Sequence, residues 1–112
     1  MSNIRLDRAL VLEQPLRVAD GAGGSTLTWA AVGTLWAELA PGAGREAAGE
    51  EVVLASVSYQ ITVRAAPVGA PSRPKPEQRF RDGARVFAIL AVTERDARGQ
   101  YLVCFAREEM PS

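Results

Sequence analysis

A mostly β fold is what this sequence predicts: a small antiparallel β-barrel or sandwich of about five or six strands, with one short helix and a long proline-rich loop. Three observations predict it. Apolar and polar residues alternate at period 2 through most of the chain, the signature of half-buried strands. Clusters of Gly, Asp and Pro punctuate those runs, as turns require. The 112 residues, 47% of them hydrophobic, suit a single packed core, so residues 1–112 are read as one domain.

The first strand covers residues 9–18. Leu10, Leu12, Leu16 and Val18 share one face around Gln14, while Glu13 and Arg17 point the other way. Pro15 has no N–H for a ladder, so this strand is expected at an edge or bulged there. Asp20-Gly21-Ala22-Gly23-Gly24-Ser25 then reads as a loose hairpin loop. The second strand region, residues 26–40, is interrupted at Ala31-Val32-Gly33. Leu27 and Trp29 share one parity before the interruption, and Leu35, Ala37 and Leu39 share one after it, opposite Trp36 and Glu38. Pro41-Gly42-Ala43-Gly44 ends it. Residues 45–54 are expected to form one or two helical turns, weakened at Gly49 by roughly 1 kcal/mol relative to alanine.

Residues 56–64 make the cleanest strand. Val57, Tyr59, Ile61 and Val63 alternate with Ser58, Gln60, Thr62 and Arg64, predicting one buried and one solvated face. Residues 66–79 hold Pro67, Pro71, Pro74 and Pro76, four of the chain's 7 prolines, and are expected to form an extended, semi-stiff loop. Asp82-Gly83 is a hairpin signal. Residues 85–92 follow as a strand, with Val86, Ala88, Leu90 and Val92 against Phe87, Ile89 and Ala91. A polar turn at 94–99 leads to the last strand, 100–106. Both faces of these last two strands are apolar, placing them centrally in a closed barrel or beneath a partner subunit.

Composition excludes most chemistry. There is no histidine, which removes His-based acid–base catalysis and Cys/His zinc sites, and Cys104 is the single cysteine. Cys104 lies mid-strand and reads as a buried structural thiol. The adjacent pairs Glu50-Glu51 and Glu108-Glu109 point apart in any regular element. Lys75, the only lysine, sits among prolines, and Gly21-Ala22-Gly23-Gly24 is not followed by a helix, so neither phosphate-binding loop pattern is met. The chain is therefore read as a non-enzyme without metal or cofactor. A charged N-terminus without an apolar run, and no apolar stretch of about 20 residues, predict a protein made in the cytoplasm with no membrane partner.

Thirteen Lys and Arg balance thirteen Asp and Glu, yet the charges are unevenly placed. Glu38, Glu46, Glu50 and Glu51 face only Arg45 between residues 38 and 51. Arg64, Arg73, Lys75, Arg79, Arg81 and Arg85 face only Glu77 and Asp82 between residues 64 and 85. Two solvated loops explain this most simply. A sharper reading is a head-to-tail contact in which Glu46, Glu50 and Glu51 of one subunit meet Arg79, Arg81 or Arg85 of its neighbour. Another is that the loop cations Arg73, Lys75 and Arg79 face a polyanion such as DNA or dock on an adjacent ring. Residues 64–79 hold no aromatic residue, so phosphate or protein contact is favoured over base stacking.

The order of segments carries a resemblance. Asp20-Gly21-Ala22-Gly23-Gly24 precedes Thr28-Trp29, Val32, Thr34 and Leu35-Trp36-Ala37-Glu38-Leu39. Pro41-Gly42-Ala43-Gly44-Arg45-Glu46, the strand Tyr59-Gln60-Ile61-Thr62-Val63-Arg64 and the run Asp82-Gly83-Ala84-Arg85-Val86-Phe87-Ala88-Ile89 follow. Over residues 6–104 this resembles the head–tail joining proteins of tailed bacteriophages, also called head-closure or stopper proteins. The composition, rich in alanine and arginine, also fits a prophage-derived particle such as a gene transfer agent.

The resemblance implies a β-barrel virion protein that assembles as a homo-oligomeric ring, a hexamer or dodecamer, at the head–tail interface. Its implied partners are further copies of itself, the portal and adaptor proteins, the tail terminator and the packaged double-stranded DNA of the channel, which the ring helps to retain. Two other readings stand beside this one. A minor tail or tail-completion protein would differ in its position along the particle axis. A small nucleic-acid-binding barrel would expose aromatic residues on one sheet face.

Overall fold

A hairpin much longer than the barrel it belongs to dominates the N-terminal half. In the computed structural model, which describes residues 3–42 and 56–109, β1 (Arg8–Ala19) and β2 (Ser25–Pro41) pair antiparallel from Arg8↔Ala37 to Ala19↔Ser25. Their turn is built by Asp20, whose Oδ1 accepts the N–H of Ala22 at 2.8 Å and of Gly24 at 3.1 Å. Gly21 and Gly23 take φ of 81° and 86° there, a backbone that residues with a Cβ avoid.

Four shorter strands complete the sheet: β3 (Ser56–Arg64), β4 (Arg79–Asp82), β5 (Arg85–Glu94) and β6 (Tyr101–Glu109). All neighbours are antiparallel, and the order β1-β2-β3-β6-β5-β4 closes through the β1–β4 pairs Val11↔Arg81, Leu12↔Phe80 and Glu13↔Arg79. The predicted barrel is thus the form adopted. The helix expected over 45–54 lies outside the described residues, and the described residues contain none.

Alternation fills the interior as the sequence requires. Leu10, Leu12, Ala37, Ile61, Val63, Phe80, Phe87, Leu102 and Cys104 are wholly buried. Two bulges then reset the parity. Leu12 pairs with Gly33 and Glu13 with Ala31, leaving Val32 as the extra residue of β2. This is the predicted interruption, and it turns Leu27 and Trp29 away from the face that Leu35 and Ala37 occupy. In β5, Ile89 pairs with Ala106 and Ala91 with Phe105. Leu90 bulges out half-exposed and Val92 swings onto the core, so the expected grouping of Val86, Ala88, Leu90 and Val92 on one face does not hold.

Residues 56–64 also depart from a simple two-faced strand. Ile61 and Val63 are buried, whereas Val57, on the same face, lies past the rim and is 49% exposed. Thr62 is on the outer face yet buried, its Oγ1 within 3.4 Å of Arg95 Nη1. The proline-rich connection between β3 and β4 is likewise not the extended arm expected. Backbone N–H groups of Ala70, Arg73 and Gln78 donate to the carbonyls of Pro67, Ala70 and Lys75 at 3.0, 3.0 and 3.1 Å, making consecutive tight turns. Pro71 and Pro76 stand at the second turn position, which their fixed φ favours, and Gly69 and Glu77 take positive φ at the third. Pro74 is buried, and the Gln78 side chain accepts the Lys75 N–H at 2.9 Å. The loop folds down onto the barrel.

Strand direction sorts the connections between two ends. The β1–β2 turn, residues 65–78 and the 95–100 turn lie at one end. The start of β1, the Gly83-Ala84 turn, the ends of β2 and β6 and the start of β3 lie at the other.

Candidate functional site

Four ion pairs among the described residues join side chains of different strands. Glu13 leaves β1 on the outer face directly opposite Arg79, and Arg79 and Arg81 of β4 share that face because they are two residues apart. Arg79 Nε reaches Glu13 Oε1 at 2.6 Å and Arg81 Nε reaches Oε2 at 2.7 Å. The Arg79 guanidinium also stacks 4.1 Å from the centroid of the Trp29 ring, a favourable cation–π placement. Burial pushes the Glu13 carboxyl up, but hydrogen bonds from Arg81 and Arg79 and their charges outweigh it and hold its pKa below the ordinary carboxylate value.

The opposite end of the barrel is closed by a second set. Arg85 Nε and Nη2 donate to Glu108 Oε2 and Oε1 at 2.7 and 3.0 Å, and Nη2 lies 3.2 Å from the Tyr59 hydroxyl. The Tyr59 ring meets Phe87 edge-on, with centroids 5.3 Å apart. Arg85 holds the Glu108 carboxyl below its usual range. Arg8 pairs with Asp82 at 2.7 Å beside them.

The predicted site residues therefore separate into three groups. Arg79, Arg81 and Arg85, expected at a subunit contact or facing DNA, have intramolecular carboxylate partners. Glu46, Glu50 and Glu51 lie outside the described residues. Arg73 and Lys75 sit in the folded loop: Arg73 Nη1 donates to the Ala66 carbonyl at 2.9 Å, and Lys75 is exposed. Arg64, Arg95 and Arg98 are exposed at the same end of the barrel as Lys75.

Sequence reasoning missed Glu13 and Trp29 as the partners of β4. The signal was present, since an Arg-x-Arg pair in a strand puts two cations on one face and calls for an acid across the ladder. Beside Trp29 runs an open groove of about 390 Å³, lined also by Gln78, Arg79, Ile89 and Leu90. No group of three His, Cys, Asp or Glu side chains able to hold a metal occurs among the described residues. Burial pushes the Cys104 thiol up to about 12, which leaves it protonated and unreactive at neutral pH.

Exposed apolar side chains are the more informative feature. Leu16, Val18 and Leu27 are 43%, 50% and 45% exposed on the part of the hairpin beyond the barrel, and Leu90 and Phe105 are 50% and 39% exposed on β5 and β6. Trp36 is exposed on β2, separated from Phe105 by the whole of β3. The two exposed aromatics thus form no shared stacking platform of the kind a single-strand-binding barrel uses.

Comparison with known proteins gives this arrangement its context. The family model of the phage head completion protein matches residues 1–109. A chain in the structure of the virion of a native gene transfer agent particle is similar at 64% identity, with a TM-score of 0.81 covering 98% of this chain and 100% of that one. The solution structure of a Shigella flexneri 2a protein is similar at 24% identity, with a TM-score of 0.66 and 96% of each chain covered. It bears on the fold alone. No curated protein matches the chain.

Proposed function

This chain belongs to the phage head completion protein family, and from that premise we propose that it is a ring-forming connector between the head and tail of a phage-like particle. The observation that carries the reading is the end-to-end similarity to a chain of a gene transfer agent virion, at 64% identity over the whole of that chain. In this role the protein is structural. It joins the portal and adaptor complex to the tail terminator, as a hexamer or dodecamer, and helps hold packaged double-stranded DNA in the head.

The geometry supports the reading in two ways. The described residues pack one core and join strands by ion pairs; no metal-capable cluster occurs among them, and the Cys104 thiol is buried and protonated. The two barrel ends are also chemically unlike. One is closed by Arg8–Asp82 and Arg85–Glu108; the other exposes Arg64, Lys75, Arg95 and Arg98 beside the projecting hairpin. A ring of such subunits has two different faces, as a connector that meets one partner above and another below requires.

Within that reading, Lys75, supported by Arg73, faces phosphate in the channel or carboxylates of an adjoining ring, and a ring multiplies each weak contact. The experiment compares particles made without this protein with particles made with it. Without it, heads should lose their DNA and carry no tails, and purified protein should restore both. Filled, tailed particles in its absence would refute the role. Lys75→Glu then divides the loop's two uses: lost DNA at normal occupancy supports the channel, lost occupancy supports docking, and neither loss removes the loop from the function.

A further inference from the structure

The hairpin leaves the barrel with one edge unguarded. β3 covers β2 only from Ala37 to Pro41, so among the described residues the outer edge of β2 from 25 to 36 has no strand beside it. That edge carries no charge and no proline from Ser25 through Ala37, and Thr26, Thr28, Ala31, Gly33 and Thr34 along it are exposed. Exposed edges normally carry charge, proline or a cover, because a bare one pairs with another strand. The neighbouring edge, on β1, has both Pro15 and Arg17. Guarding one edge and leaving the other bare marks β2 as a pairing edge.

The same chain offers a second bare surface elsewhere on the barrel. β4 covers β5 from Arg85 to Ala88, and Glu77 and Gln78 extend the cover to Ile89, whose carbonyl accepts the Glu77 N–H at 3.1 Å and whose N–H donates to the Gln78 carbonyl at 3.0 Å. Beyond it the edge is bare, and residues 86–93 are uncharged. Leu90 bulges outward, and Ala91 stands opposite the exposed Phe105. Exposed Glu94 borders this flank on one side and exposed Arg107 and Glu109 on the other, while the arm presents Arg17. Two unlike apolar surfaces of matching character, one bordered by two acids and one base and the other by Arg17, are what a head-to-tail contact between copies uses; a two-fold contact would use one surface twice.

We propose that the β1–β2 arm of one copy docks, by the free edge of β2 and by Leu16 and Val18, which share a face with Thr26 and Thr28, on the Leu90–Ala91–Phe105 flank of a second copy. This rests on the ring reading above and names the contact that closes the ring.

Cross-linking in assembled particles tests it. A Thr28→Cys, Ala91→Cys double variant treated with a short bismaleimide should give covalent multimers up to the full ring, with buried Cys104 silent. Neither single variant should cross-link. Thr28→Lys, which puts a charge on the edge, should leave the melting temperature of the isolated protein unchanged and abolish its incorporation into particles. Dimers from Thr28→Cys alone would show arm-to-arm pairing and overturn the proposal. So would an absence of multimers in particles holding the normal copy number, or normal incorporation of Thr28→Lys. Wild-type particles holding one copy each would instead refute the ring reading itself.

Discussion

Replacing Glu13 with glutamine removes one charge at the point where the barrel closes. The carboxylate is 7% exposed and bridges Arg79 and Arg81, whose side chains are 21% and 40% exposed. Glutamine keeps the volume and one acceptor oxygen, but turns an NH₂ group towards an arginine. Breaking a fully buried ion pair costs roughly 3–5 kcal/mol, and an exposed one less than about 1 kcal/mol. Arg79 is close to the first case and Arg81 lies between them, so the loss should be about 2–3 kcal/mol. In a domain of this size about 1 kcal/mol shifts the melting temperature by about 4–6 °C, so E13Q should melt about 10 °C or more below wild type. Thermal denaturation followed by near-UV circular dichroism measures this. The deficit should persist at high salt, because a buried pair is screened little. A melting temperature within about 2 °C of wild type would refute the view that these ion pairs hold β1 against β4.

Two further outcomes follow from the same contacts. Glu13 and Glu108 have folded pKa values below the ordinary 4.5, so the unfolded chain takes up protons first on acidification. Their stabilisation should be complete at neutral pH and drain away as pH falls below about 4.5; thermal melts should show a shallower acid slope in E13Q than in wild type, and equal slopes would contradict the assignment. Ile61→Ala, at a wholly buried position, should cost roughly 2–5 kcal/mol in urea denaturation, whereas Val57→Ala at the exposed rim should cost less than about 1 kcal/mol. Similar costs at the two sites would show that the inward face of β3 is not core.

The strands were legible because period-2 alternation and turn chemistry are local. Leu10 and Leu12, Ile61 and Val63, and the Asp82-Gly83 turn are read directly from their neighbours. What failed was set by partners distant in sequence. Leu90 became a bulge because β6 fixes the register opposite it, and no local pattern marks it, whereas the interruption at Ala31-Val32-Gly33 was visible in the sequence. Leu16 and Val18 continue the core face of β1 without a break, yet are exposed because β4 begins only at Arg79, opposite Glu13, and among the described residues no strand lies beside the arm beyond that point. Residues 66–79 misled for a different reason: proline density alone does not separate an extended arm from a chain of turns. The distinction lay in the spacing of Pro71 and Pro76 relative to Gly69 and Glu77.

The charge pattern shows the same limit and bears on how such a barrel can act. Read along the chain, Arg79, Arg81 and Arg85 form a basic cluster that invites a polyanion or an acidic neighbour. In space each faces a carboxylate from β1 or β6, and recruiting any of them to an outside partner would first require breaking that pair. The cost falls on closure itself, because Glu13 lies in the three-residue seam between β1 and β4. In the proposed ring, contacts between copies are therefore better drawn from surfaces that break none of these ion pairs: the exposed cations Lys75 and Arg98, and the bare edges and apolar side chains of β2 and β5. On such a division the ion pairs make the subunit, and the uncharged edges make the assembly.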